Sequence, residues 1–283
     1  MRAIAGEREP DLVHPYAVAT FGEAVGTGPG GGTAIGPARI AVSDMQVRGV
    51  FVFDLAAGDY QLLTSAGGTS LASPVGVAFD GDGRLYVCDS ALGRIVRYGT
   101  DLAFDRVVTD QFERPAGVAI DRKRGRLYVA DAAQHIVRRL DLEGRTAGVV
   151  ALPFAFPTHL AVDDSGRLLV SDSMDFQVVV VSSEGERLGA VGKVGDGSGD
   201  LQRPKGVASD SVGHLYVVDA IFDNVQIFSM DGRLLLSFGS AGNGMGEMAL
   251  PAGIATDPRD TIYVADTYNG RVLVLQYLPE PTP

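Results

Sequence analysis

Few side chains in this sequence are equipped for chemistry, and their positions narrow what that chemistry can be. There are 4 histidines and 1 cysteine. His159 stands two residues after Pro157, where the parallel segments Pro74-Val75-Gly76, Pro115-Ala116-Gly117, Pro204-Lys205-Gly206 and Pro251-Ala252-Gly253 all carry glycine. An imidazole in that place is a candidate metal ligand or general base; the alternative is a hydrogen-bonded structural residue. Lys205 lies beside the equivalent position of the next segment. His14, His135 and His214 fall in a tail, in a loop and at the opposite turn, so they do not converge with His159. A three-histidine zinc centre is therefore not expected. No catalytic residue is assigned, and neither a metal nor another cofactor is expected.

Carboxylates are more numerous and more regular. Asp44, Asp89, Asp131, Asp172, Asp219 and Asp266 are spaced by 45, 42, 41, 47 and 47 residues. Such a ring on one face would suit a metal or a basic partner. Its presence in every copy points instead to carboxylates that accept hydrogen bonds from their own loops, because a functional site breaks a repeat. The departures therefore carry more information. Leu92, Met174, Phe176, Ile221, Phe222 and Tyr268 are large and apolar in loops that follow these aspartates, where polar residues are expected. Exposed, they would mark a protein-contact face; otherwise each tucks against the neighbouring repeat. Met174, Phe176, Ile221, Phe222 and Tyr268 are the candidate binding residues, with His159 and Lys205 as candidates at an axial mouth. Cys88 fills a slot held elsewhere by Ser43, Ala130, Ser171, Val218 and Ala265, which suits a buried packing residue. A lone cysteine also excludes an internal disulfide.

The elements that position these residues follow from a repeat. Pro74-Val75-Gly76-Val77-Ala78-Phe79-Asp80, a glycine turn, Leu85-Tyr86-Val87-Cys88-Asp89 and Arg94-Ile95-Val96-Arg97-Tyr98 recur in order from Pro115, Pro157, Pro204 and Pro251. A worn copy at the front holds Ile40–Asp44 and Val50–Phe53, with residues 31–35 after Pro29 as its first strand. Short β-branched runs punctuated by Gly-Asp, Asp-Gly and Glu-Gly pairs read as four strands per unit, with no sustained helical period. Units of this size predict an all-β, six-bladed propeller with four antiparallel strands per blade. The last unit stops after its third strand, and residues 16–22 resemble the fourth strand at 233–239. The N-terminal strand is thus expected to close the last blade. The expected organisation is a tail over 1–15, one propeller over 16–277 and a tail over 278–283. Residues 195–199 and 26–30 are glycine-rich but no helix follows, so they read as loops between blades and not as phosphate cradles.

Pro-x-Gly-Val-Ala-x-Asp, Leu-Tyr-Val-Ala-Asp, Arg-Val-x-Val and Ser-Phe-Gly together resemble NHL repeats, with residues 266–271 the closest single match. The resemblance spans roughly residues 16–277 and implies the propeller fold more than any one activity. Bacterial relatives of this type imply an envelope or multihaem-cytochrome setting, hence an extracytoplasmic location; a cytoplasmic one follows if Met1 is the native start. Gluconolactonase-like propellers are a second comparison, and they imply a Glu/Asn/Asp calcium site. No matching acidic motif occurs in the first unit, and the chain has no Trp.

Charge and hydropathy exclude two partner classes. A net charge of −11 works against nucleic acid, whose binding rests on phosphate neutralisation, and favours a basic protein. No apolar run reaches the roughly 20 residues of a membrane helix. The expected function is a non-catalytic protein-binding scaffold. The alternative is a metal-dependent lyase or hydrolase working at the axial mouth of the propeller.

Overall fold

The computed structural model describes residues 12–22, 24–27, 33–36 and 38–276. Where the sequence is most uniformly apolar, strands are covered on both faces. Leu85–Asp89, Leu168–Asp172, Leu215–Asp219 and Ile262–Asp266 are buried along their whole length. Strands at the rim, such as Phe104–Thr109 and Leu234–Phe238, are mostly exposed. This gradient from axis to rim is what stacked, radially arranged sheets produce.

Six antiparallel sheets form the ring. From axis to rim, blade 1 holds Pro15–Phe21, Arg39–Asp44, Gly49–Asp54 and Asp59–Leu63; blade 2 holds Pro74–Phe79, Leu85–Asp89, Arg94–Tyr98 and Phe104–Thr109. Blades 3, 4 and 5 begin with Pro115–Asp121, Pro157–Val162 and Pro204–Ser209 and also have four strands. Blade 6 has three among the described residues: Ile254–Thr256, Ile262–Asp266 and Arg271–Leu275. The core lies between blades. Ala41 and Val52 of blade 1, for example, share a cluster with Val77, Val87 and Val96 of blade 2.

The N-terminal strand corrects the expectation of closure. Pro15–Phe21 is not the outer strand of the last blade; it pairs with Arg39–Asp44 as the inner strand of blade 1, with Pro15 opposite Asp44. The strand expected at residues 31–35 does not lead that blade: Thr33–Gly36 pairs with Ala24–Thr27 as an inserted hairpin, while Pro29, Gly31 and Gly32 lie outside the described residues. The physical cause is visible at Phe21. The other five inner strands are followed by Asp80, Asp121, Asp163, Asp210 or Asp257, each accepting backbone amides of the next turn. Blade 1 has Phe21 in that place and the chain departs into the hairpin.

The ring closes where blade 6 packs face to face on blade 1. Thr20 Oγ1 donates to the Thr256 carbonyl (2.9 Å) and Thr267 Oγ1 to the Pro15 carbonyl (2.9 Å). Backbones approach so closely here that a Cβ on Gly253 would lie 2.6 Å from Ala17 Cα. The same contact recurs between blades 3 and 4, where a Cβ on Gly117 would meet the Thr158 carbonyl oxygen at 2.3 Å. Glycine at this level is a requirement of backbone approach.

Candidate functional site

The six repeat aspartates are fully buried, and each accepts amides from the loop that leads into its own blade. Asp44 takes Val13 and His14, Asp89 takes Ala72 and Ser73, and Asp131 takes Glu113 and Arg114. Asp172 takes Ala155 and Phe156, Asp219 takes Gln202 and Arg203, and Asp266 takes Ala249. Several also bind the loop that follows, as Asp219 does with Ile221 and Phe222. These carboxylates lock both loops of one propeller face, here the upper face. Cys88 is buried, and burial pushes its thiol pKa far up, which suits packing and not reactivity.

The axial mouth is built by a backbone irregularity. In blades 1, 3, 4 and 5 the register slips directly after the leading proline, leaving Tyr16, Ala116, Thr158 and Lys205 in the slipped segment. Bulges of this kind re-aim a side chain. Three of them converge with His159. The Tyr16 and His159 rings lie 5.2 Å apart by centroid, and Lys205 Nζ sits 5.0 Å from the Tyr16 centroid. The sequence placed His159 and Lys205 at this mouth, and the structure brings them together. Tyr16 was missed, although Pro15-Tyr16-Ala17-Val18-Ala19 matches Pro-x-Gly-Val-Ala with alanine in place of glycine.

Hydrogen bonding fixes the tautomer of His159. Ser173 Oγ must donate to the Pro204 carbonyl (2.5 Å), so it receives its 2.7 Å bond from Thr158 Oγ1. With its hydrogen spent, Thr158 Oγ1 accepts from His159 Nδ1–H (3.2 Å). Nε2 is then a bare lone pair, and it is buried without a partner. Burial, assisted by the Lys205 charge, lowers the His159 pKa to about 3. Burial and then Arg203 lower Lys205 to about 8. Burial raises the Tyr16 phenol, against the opposing charges of Arg203 and Arg114.

Beyond this level a cavity of about 440 Å³ follows the axis to the lower face, lined by all six inner strands, from Val18, Val118 and Leu160 to Arg122, Asp163 and Asp257. Arg122 reaches across its rim, donating to the carbonyls of Phe79 and Thr20.

The other histidines are dispersed. His14 stacks on Tyr268, His135 Nδ1 meets the Ala155 carbonyl and His214 Nδ1 meets Asp210. A divalent cation does not fit the mouth, where the one free imidazole nitrogen shares its surroundings with an ammonium. Among the described residues, no three His, Cys, Asp or Glu side chains are grouped to hold a metal. On the upper face Met174, Ile221 and Tyr268 are exposed by 65%, 46% and 63%, Leu92 is also exposed, and Phe176 and Phe222 are half-buried.

A family model described as NHL repeat matches residues 248–275, and one described as SMP-30/Gluconolactonase/LRE-like region matches residues 31–170. With the fold, these define the class: the protein is a six-bladed β-propeller whose last blade matches the NHL repeat. No curated protein matches the chain in sequence. Among solved structures, a streptogramin B lyase is similar at 12% identity and TM-score 0.66, covering 96% of this chain and 86% of its own. Hydrazine synthase of Kuenenia stuttgartiensis is similar at 13% identity and TM-score 0.66, over 95% and 97%. A nidogen/laminin complex contains a chain 21% identical with TM-score 0.64, over 79% of each. At these identities the likeness is one of fold.

Proposed function

We propose that the protein is a non-catalytic scaffold that holds a protein partner on its upper face. The observation that carries this reading is the exposure of Met174, Ile221 and Tyr268 on loops of three consecutive blades. Those loops are tied to one another. Ser173, beside Met174, donates to Pro204 of the next blade; Leu250 N donates to Asp223, and Tyr268 N to the Ala249 carbonyl. Aromatic and methionine anchors on a firm frame are what protein interfaces use. The charge of −11 favours a partner with a basic surface, and association that quickens at low salt. Similar propellers occur within protein assemblies, as the nidogen/laminin complex shows. An extracytoplasmic setting, implied by the NHL resemblance, belongs to the same proposal.

A metal-assisted lyase or hydrolase at the axial mouth has the fold of a streptogramin B lyase in its favour. Lys205 beside the single free imidazole nitrogen weighs against it. The test is affinity capture from the native organism with wild-type protein, Phe222→Ser, Tyr268→Ser and Met174→Ser. Phe222→Ser and Tyr268→Ser should lose the partner while melting like the parent, with Met174→Ser affected less. Undiminished capture by both would remove the upper face as the contact surface.

A further inference from the structure

The upper face is uneven. Besides Met174, Ile221 and Tyr268, its half over blades 4 to 6 exposes Val194 and Met245, by 64% and 82%. These two lie on the loops that lead into blades 5 and 6, residues 192–203 and 239–250. Entering and following loops alternate here, and each presents a large apolar side chain, in the order Met174, Val194, Ile221, Met245, Tyr268. Each loop also abuts the next. A Cβ on Gly192 would lie 3.3 Å from the Phe176 carbonyl oxygen, and Gln226 donates to the Asp200 carbonyl at 2.8 Å. Leu250 N donates to Asp223 at 2.7 Å. Asn269 donates to the Gly242 carbonyl, and Arg271 to the carbonyls of Asn243, Gly244 and Glu247. The apolar side chains therefore sit on one braced arc. Over blades 1 to 3 the described loops expose only Val13 and Leu92 in this way.

The same arc is acidic. Asp175, Asp196, Asp223 and Glu247 follow Met174, Val194, Ile221 and Met245 within two residues. Among the described residues none of these carboxylates is paired with a lysine or arginine; Asp223 and Glu247 accept the amides of Leu250 and Gly244. Lys193 pairs instead with Asp200 at 3.6 Å, and Arg271 is spent on Asp266 and the loop carbonyls. Apolar anchors interleaved with uncompensated carboxylates call for a partner of the complementary pattern.

We propose, resting on the scaffold reading above, that this arc binds a protein segment whose apolar side chains alternate with lysine or arginine, as in a basic amphipathic helix. Its apolar side chains lie along the arc from Met174 to Tyr268, and its cations meet the four carboxylates. An anionic membrane surface, which also takes up exposed apolar loops, is repelled by those carboxylates.

The test is fluorescence anisotropy of the intact protein with a labelled amphipathic peptide of leucine and lysine. Its leucine and glutamate counterpart and phosphatidylglycerol vesicles are the controls. The lysine peptide should bind, more weakly as salt rises, and neither control should. Met245→Ser and Val194→Ser should each weaken binding roughly fivefold or more, while Leu92→Ser, off the arc, should not. Asp175→Asn combined with Asp196→Asn should flatten the salt dependence. No binding of the lysine peptide, equal binding of the glutamate peptide, vesicle binding lost with Met245→Ser, or indifference to both Met245 and Val194 would each overturn the proposal. Capture from the native organism separates this from the scaffold reading. A partner lost with Tyr268→Ser but kept by Met245→Ser and Val194→Ser would sink the arc alone; a partner kept by all three would sink both.

Discussion

The rings of Tyr16 and His159 meet at 5.2 Å from blades 1 and 4, which face each other across the axis. These are also the two blades whose close-approach position is not glycine but Ala17 and His159, and in both the residue paired with it is a serine, Ser43 or Ser171. The departures from the repeat are thus coupled across the ring. That coupling gives the mouth its shape.

A consequence of the buried imidazole is pH-dependent stability. His159 has its folded pKa at about 3 against 6.5 when unfolded. Its contribution is full above pH 6.5 and is lost as pH falls through that window, because only the unfolded chain takes up the proton. The slope is about 1.4 kcal/mol per pH unit for one proton. Chemical denaturation at about pH 7 and about pH 5 should show His159→Gln losing less stability on acidification than wild type. Equal slopes would contradict a neutral, buried His159.

Deleting the first 21 residues should prevent folding altogether. It removes an inner strand that pairs with Arg39–Asp44 and packs against blades 2 and 6. Circular dichroism should show loss of β-structure in the truncated chain. A protein that kept its sheet signal and melted only slightly earlier would fit an outer strand instead.

Gly117→Ala should destabilise by about 1–3 kcal/mol through overpacking. The new methyl would meet the Thr158 carbonyl at 2.3 Å, and neither backbone can yield without parting blades 3 and 4. Gly189→Ala, which meets nothing within 4 Å, is the control for a general effect of losing glycine. Urea midpoints for the two variants should differ clearly.

Asp131→Ala should cost about 1–3 kcal/mol, the range for stranding buried donors. It orphans the amides of Glu113 and Arg114, held at 2.9 and 3.0 Å. Asp175→Ala, at an exposed site in the loop after Asp172, should leave the melting temperature nearly unchanged. Similar losses in both would show that the repeat aspartates do not anchor the loops.

Blade number, the buried second strands and the loop-binding role of the aspartates were all legible in the sequence. Each is a local relationship, written again in every repeat, so that one copy checks another. His159 was legible for the complementary reason, as a departure from a glycine that backbone contact otherwise demands. Tyr16 and the inner strand of blade 1 were not. The hairpin at 24–36 separates that strand from its partner and breaks the spacing on which the repeat was read. Which strand completes a blade is settled by hydrogen bonding between segments far apart, once Pro15 finds Asp44. What meets at the axis is decided later still, because blades 1, 4 and 5 are brought together only when the ring closes. Sequence determined the unit and its number; tertiary structure alone decided the neighbours across the axis, since no periodicity along the chain encodes a contact between opposite blades.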